Sequence, residues 1–198
     1  MKIQPSKVAR VVRQRFKFET HHPNERERQR ERYRPDQVRI LFIGESPPAS
    51  GRFFYQADSG LYRAFRDTFL AAFPLLRKTE FLDSFRSLGC YLVDLCGQPV
   101  DKMNPRDRRC ACQTGEIRLA RTIRALRPKI IVTIVRSIRA NVRQAQELAG
   151  WSGLHLELPY PGRWYRHRLQ FHRQLVRLLR EEARSCPLIL MQSRSRRR

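Results

Sequence analysis

Between Val38 and Tyr55 the chain passes from a short apolar stretch, Val-Arg-Ile-Leu-Phe-Ile, directly into Gly44-Glu45-Ser46-Pro47-Pro48 and then Phe53-Phe54-Tyr55. A run rich in β-branched and large apolar residues, closed by glycine and proline, reads as a parallel strand buried on both faces. That reading constrains the fold strongly, because parallel strands need helical crossovers and a sheet covered on both sides. Gly44 lets the backbone come close to a ligand, and the prolines stiffen the loop. Ligands of open α/β sheets bind just past the carboxyl ends of the strands. Glu45 and the aromatic cluster therefore stand either at a site for a planar ligand or in a tight connection, with Glu45 in solvent and the rings in the core. The segment alone leaves both readings open.

The pattern repeats along the chain. Leu61, Phe65, Phe69 and Ala72 recur at helical spacing, with Asp58 or Ser59 as N-cap and Pro74 as stop. A second helix is expected from Thr79, capped by that hydroxyl, through Phe81, Leu82, Phe85 and Leu88, and ended by Gly89. Cys90 to Leu95 reads as a second strand. Asn104-Pro105 caps and opens a long helix through Leu126, and Lys129 to Val135 is the strongest strand signal. A helix over Ser137 to Leu148, a strand over His155 to Leu158 and a last helix carrying Leu169, His172, Leu175, Val176 and Leu179 complete the alternation. The expected fold is a three-layer α/β/α domain with a central, mainly parallel four-stranded sheet. Its expected span is residues 37–184. Residues 1–36 read as a basic extension, in which Glu25 to Arg34 lacks an apolar face and is either a solvated helix or a tether. Residues 185–198 read as a basic tail.

Charge narrows the partner. The 198 residues hold 41 Lys plus Arg against 18 Asp plus Glu, a net charge of +23. Such an excess fits a nucleic acid, because cationic side chains release counterions from phosphates, and arginine also stacks on bases. Charge does not separate DNA from RNA. No stretch approaches the roughly 20 apolar residues of a membrane span, and the amino terminus has no apolar signal core. The five cysteines show no secreted-protein spacing, which points to a reducing, cytoplasmic compartment. A monomer is expected. Phosphate-binding glycine loops, His-Glu-x-x-His helices and Gly-x-Ser-x-Gly elbows are absent from the sequence, removing common ATPase, zinc-protease and hydrolase readings.

Taken in order, these loops resemble the motifs of the uracil-DNA glycosylase superfamily over roughly residues 36–182. Gly44-Glu45-Ser46-Pro47 is similar to the family's Gly-x-x-Pro loop, and Phe53-Phe54-Tyr55 follows where its base-stacking aromatic stands. Asp94 in Leu-Val-Asp-Leu occupies the place of the base-reading Asn. Asn104 to Val135 resembles the middle of the thermostable iron–sulfur members. Leu158-Pro159-Tyr160-Pro161-Gly162-Arg163 stands in the position of the His-Pro-Ser-type loop that enters the minor groove. The resemblance implies a DNA partner and hydrolytic excision of uracil or another deaminated base, without a cofactor. It assigns catalysis to Glu45 and Ser46, base binding to Gly44, Pro47, Phe54, Tyr55 and Asp94, and DNA contacts to Pro159, Pro161, Gly162 and Arg163; the mix of cations and aromatics just past that loop adds Arg166 and His167 as DNA contacts.

The departures are specific. Ser46 replaces a frequent Asp or Asn, and Leu158 replaces the His that stabilises the leaving base. Asp94 offers acceptors only, so it meets uracil's N3–H but not O4. A scaffold that binds nucleic acid without chemistry is the alternative. Trp164 and Tyr165, beside Arg163, Arg166 and Arg168, either meet nucleic acid or pack inward. The iron–sulfur relatives draw ligands from an amino-terminal cysteine pair, whereas this chain has no cysteine before Cys90, and Cys110-x-Cys112 is unusual for structural zinc. No metal is expected.

Overall fold

The computed structural model describes residues 25–162 and 164–184. The Arg163 position, the first part of the basic extension (with His21-His22) and the arginine tail lie outside the described residues. Among the described residues, four strands form one parallel sheet: β1 (Ile40–Gly44), β2 (Cys90–Asp94), β3 (Ile130–Thr133) and β4 (Leu154–Glu157), in spatial order β2-β1-β3-β4. β1 lies between β2 and β3, pairing Gly44 with Asp94 and Ile43 with Thr133. The helices are α1 (Glu25–Arg32), α2 (Gly60–Ala72), α3 (Phe81–Ser87), α4 (Pro105–Leu126), α5 (Arg139–Ala149) and α6 (Tyr165–Arg184). The three-layer α/β/α arrangement follows: α2, α3 and α6 cover one face of the sheet, and α4 and α5 cover the other.

Local chemistry explains the elements. β1, β2 and β3 are buried along their whole length, as their unbroken apolar runs require. Ser59 caps α2 by accepting from the Tyr62 N–H, and Asn104 caps α4 by accepting from the N–H groups of Arg106 and Asp107. The second helix differs from expectation. A single 3₁₀ turn at Lys78–Glu80 precedes α3, which starts at Phe81 without a side-chain cap, so Thr79 does not cap it.

Side-chain alternation decides where each residue goes. Phe42 turns to the α2 face, meeting Phe65 at 4.9 Å in edge-to-face geometry and Phe85 at 5.7 Å. Phe54, Phe69 and Phe81 extend this aromatic core, and Phe171 of α6 closes it against Phe65 at 5.2 Å. Each buried Phe contributes roughly 1.5–3 kcal/mol. By the same parity Gly44 and Asp94 face α2, whereas Glu45, one residue on, faces α4.

The amino-terminal boundary moves. Glu25 to Arg32 is helical and its Arg30 is buried against Asp94, so this helix belongs to the folded body and is not a tether. Arg28 makes an i,i+3 pair with Glu25 along the helix, and Arg34, just past its end, makes one with Glu31.

Candidate functional site

The sheet order fixes the place to look. The connection from β1 leads to β2 on one side, and that from β3 leads to β4 on the other. The switch point therefore lies between the carboxyl ends of β1 and β3. Glu45 and Ser46 stand there. Asp94 does not, because it ends the edge strand.

Glu45 is already engaged. Its carboxylate accepts two hydrogen bonds from the Arg108 guanidinium of α4, one from Nε at 2.7 Å and one from a terminal nitrogen. A bidentate pair of this kind is among the strongest available to arginine, and it holds Arg108 above its ordinary pKa. The Cys112 thiol lies 4.0 Å from Glu45 and 3.7 Å from the Cys96 sulfur. Burial pushes the Cys96 thiol up to about 12 and raises Cys112 as well, so both are protonated near neutrality. The Ser46 hydroxyl is held as well, accepting from the Val100 N–H at 3.3 Å. Pro47 is buried.

Asp94 points to the opposite side of the sheet. It is 8% exposed and accepts from Arg30 at 2.7 Å. Burial raises its carboxyl pKa, against the pull of Arg30 and Arg118. Arg118 also closes the turn after β2 by donating to the carbonyls of Asp94 and Leu95. Gly44 serves this packing rather than a ligand: a Cβ there would stand 2.7 Å from Asp94 Oδ1. The expected approach of backbone to base is thus taken up by Asp94. A cavity of about 190 Å³ opens beside Asp94 along the β2 edge, lined by Arg30, Arg34, Tyr91 and Arg118 among others. Its lining contains none of Glu45, Ser46, Phe54 or Pro159.

The aromatic cluster is core. Phe53, Phe54 and Tyr55 are 2–3% exposed. Phe54 touches Tyr62, Phe65, Phe81 and Phe85, while Phe53 lies under the Arg30 guanidinium at 5.4 Å. The Tyr55 hydroxyl accepts from the Leu92 N–H at 2.7 Å and donates to the Leu92 carbonyl at 3.0 Å, satisfying the outer edge of β2. Neither Phe54 nor Tyr55 offers a face to a base, which corrects the stacking role the resemblance implies. The two carboxylates, on opposite faces of the sheet, do not share one pocket.

The turn from β4 into α6 is different. Leu158 is buried, its N–H donating to the Thr133 carbonyl, and Pro159 and Pro161 are buried too, so neither proline presents itself to DNA. Gly162 is exposed and lies under the Tyr160 ring, where a Cβ would come within 2.2 Å. Arg166 is exposed and His167 is half-buried at the start of α6. Around them stand Tyr160, Trp164 and Tyr165, 44%, 53% and 77% exposed; they are the exposed large aromatics among the described residues. From sequence, these rings stand between two readings. The signal that separates them is the run Tyr160-Pro-Gly ahead of Trp164-Tyr165, too dense in rings for the buried stripe of α6, which Phe171, Leu175, Leu178 and Leu179 already fill.

Among the described residues, no group of three His, Cys, Asp or Glu side chains is placed to hold a metal ion, and no helix is long and apolar enough to cross a membrane. No protein-family model matches the chain, and no curated protein matches it by sequence.

Proposed function

We propose that this chain binds single-stranded nucleic acid, holding unpaired bases on Tyr160, Trp164 and Tyr165 while neighbouring arginines take the phosphates. The observation that carries this reading is the gathering of all exposed large aromatics of the described residues into one six-residue segment. A partly exposed ring forfeits part of its burial energy, whereas stacking its open face on a base returns about 1–3 kcal/mol. Every base has a π-face, so such a platform tolerates sequence. The excess of +23 supplies the long-range attraction.

Base excision, which the resemblance to uracil-DNA glycosylases implies, is the narrower form of the proposal. It needs Arg108 to release Glu45 and a base site other than Phe54 and Tyr55, so the geometry favours binding without chemistry. DNA is the partner the resemblance names, and stacking serves RNA equally.

Tryptophan fluorescence tests the reading. Trp151 is half-buried with its indole N–H bonded to the Pro128 carbonyl, leaving Trp164 as the described indole that meets solvent. Titration with single-stranded DNA and RNA oligonucleotides is expected to quench Trp164 saturably, less strongly as salt rises. Absence of binding at low salt overturns the proposal. Oligonucleotides carrying uracil, hypoxanthine or xanthine, treated with alkali after incubation, are expected to stay whole; scission replaces the binding-only reading with the glycosylase one.

A further inference from the structure

The last helix carries a second regularity that the aromatic turn does not use. Arg166, Arg173, Arg177, Arg180 and Arg184 are all exposed, and their spacing is 7, 4, 3 and 4 residues. At 3.6 residues per turn these five side chains fall within an arc of about 60° on one side of α6. The opposite stripe, Phe171, Leu175, Leu178 and Leu179, is buried in the aromatic core, so the arginine side faces outward by geometry. Four of the five, Arg173, Arg177, Arg180 and Arg184, line a groove of about 450 Å³ between α6 and the end of α2, together with Ala71, Val176 and Glu181, while Arg166 stands beyond it toward the aromatic turn.

Most of the cationic capacity here is uncommitted. Arg180 donates one terminal nitrogen to the Ala71 carbonyl, leaving further donors of its fork outward. Arg177 pairs with Glu181 at 2.8 Å, with side chains 81% and 52% exposed, and such a surface pair yields readily to a phosphate. Glu182, the other acid of the helix, is turned to Lys129 and Arg39. Arg136 joins the upper end by donating to Gln170, which borders the same arc.

We infer that this arginine stripe is a phosphate track continuous with the aromatic turn, so that a single strand stacked on Trp164 and Tyr165 continues along α6 toward Arg184. The inference rests on the proposed binding of nucleic acid and adds its path and length. From Arg166 to Arg184 the helix rises about 27 Å. That distance corresponds to about eight nucleotide steps at roughly 3.4 Å each. Five arginines, each neutralising one phosphate of a single strand, give a salt dependence near −3.5 in log–log slope, from about −0.7 per phosphate.

The test compares two variants of equal charge on the full chain. R173Q/R177Q/R180Q/R184Q removes the track, and R86Q/R106Q/R109Q/R121Q removes four exposed arginines elsewhere. Glutamine keeps helix propensity, and circular dichroism checks that both fold. With 12-nucleotide DNA and RNA at low salt, the track variant is expected to bind about 30-fold more weakly and to lower the salt slope by about 3. The control is expected to change both far less. With wild type, shortening the oligonucleotide from 12 to 4 nucleotides is expected to weaken binding in proportion to the phosphates that no longer reach the stripe. Equal effects in the two variants, or no length dependence, overturn the track while leaving the aromatic turn's role standing. Failure of wild type to bind either oligonucleotide overturns the underlying reading itself.

Discussion

The end of β2 and the turn after β4 both lie at the carboxyl-terminal end of the sheet, yet they use their residues in opposite ways. At the end of β2, Gly44, Tyr55, Arg30 and Asp94 hold one another: a glycine with no room for a side chain, a hydroxyl clamped to Leu92, a guanidinium on a buried carboxylate. At the turn after β4 the side chains of Tyr160, Trp164 and Tyr165 are 44–77% exposed, the largest aromatic surface open to solvent among the described residues. A strand–Gly–acid–aromatic pattern is therefore not by itself a site. The same residues that hold a flat ligand also suit the closing of a sheet edge, and which occurs depends on partners far away in sequence. Function is better sought where satisfied chemistry gives out.

Substitutions at the two places are expected to separate stability from binding, and their effects differ in size. Asp94→Ala leaves Arg30 in the interior without its main counter-charge, and is expected to cost about 3–5 kcal/mol in urea denaturation with oligonucleotide binding kept. Lost binding with unchanged stability would return Asp94 to a recognition role. W164A/Y165A is expected to weaken oligonucleotide binding by about 2–3 kcal/mol while moving the denaturation midpoint little, since both rings are exposed. Tyr55→Phe leaves the Leu92 N–H and carbonyl unmatched, for an expected loss of about 1.5 kcal/mol. That corresponds to a fall of about 3–6 °C in Tm, checked by calorimetry.

The smallest effect is a pH dependence on the β4 side. His155 shares a 2.8 Å hydrogen bond with the Thr133 hydroxyl, and burial holds its pKa below the ordinary 6.5. As pH falls through about 6.5 the unfolded chain takes up a proton before the folded one does. His155 thus contributes stability above that pH and loses it progressively toward its lower folded value. His155→Gln is expected to flatten the profile of Tm against pH between about 5 and 7. An unchanged profile would show that His155 does not titrate differently on folding.

Much of the architecture is legible in local pattern alone. Ile130 to Thr133 and Ile40 to Gly44 are strands because nothing but a doubly covered sheet accommodates such runs, and Ser59 and Asn104 cap their helices as expected. The last helix is visible in its apolar stripe, though the structure extends it from Tyr165 to Arg184. The candidate site is less legible for a specific reason. Glu45 meets Arg108 across 63 residues, and Asp94 meets Arg30 across 64. Neither pairing leaves a trace in spacing, and in a chain with so many arginines each carboxylate has several eligible partners. Face parity is readable in principle: Gly44 pairs with Asp94, so Glu45 must turn the other way. Applying it requires the register of β1 with β2, which sequence does not supply. The helix over Glu25–Arg32 is obscured by its composition, since it is anchored by one buried arginine instead of an apolar stripe.

Photocrosslinking decides whether bases rest on the turn after β4. A single-stranded oligonucleotide carrying 5-iodouracil, irradiated on the full chain and mapped by mass spectrometry, reports which side chains lie against the bases. Crosslinks are expected at Tyr160, Trp164 or Tyr165. Crosslinks confined to residues 44–55 or 94–108, with the turn after β4 untouched, would refute the platform.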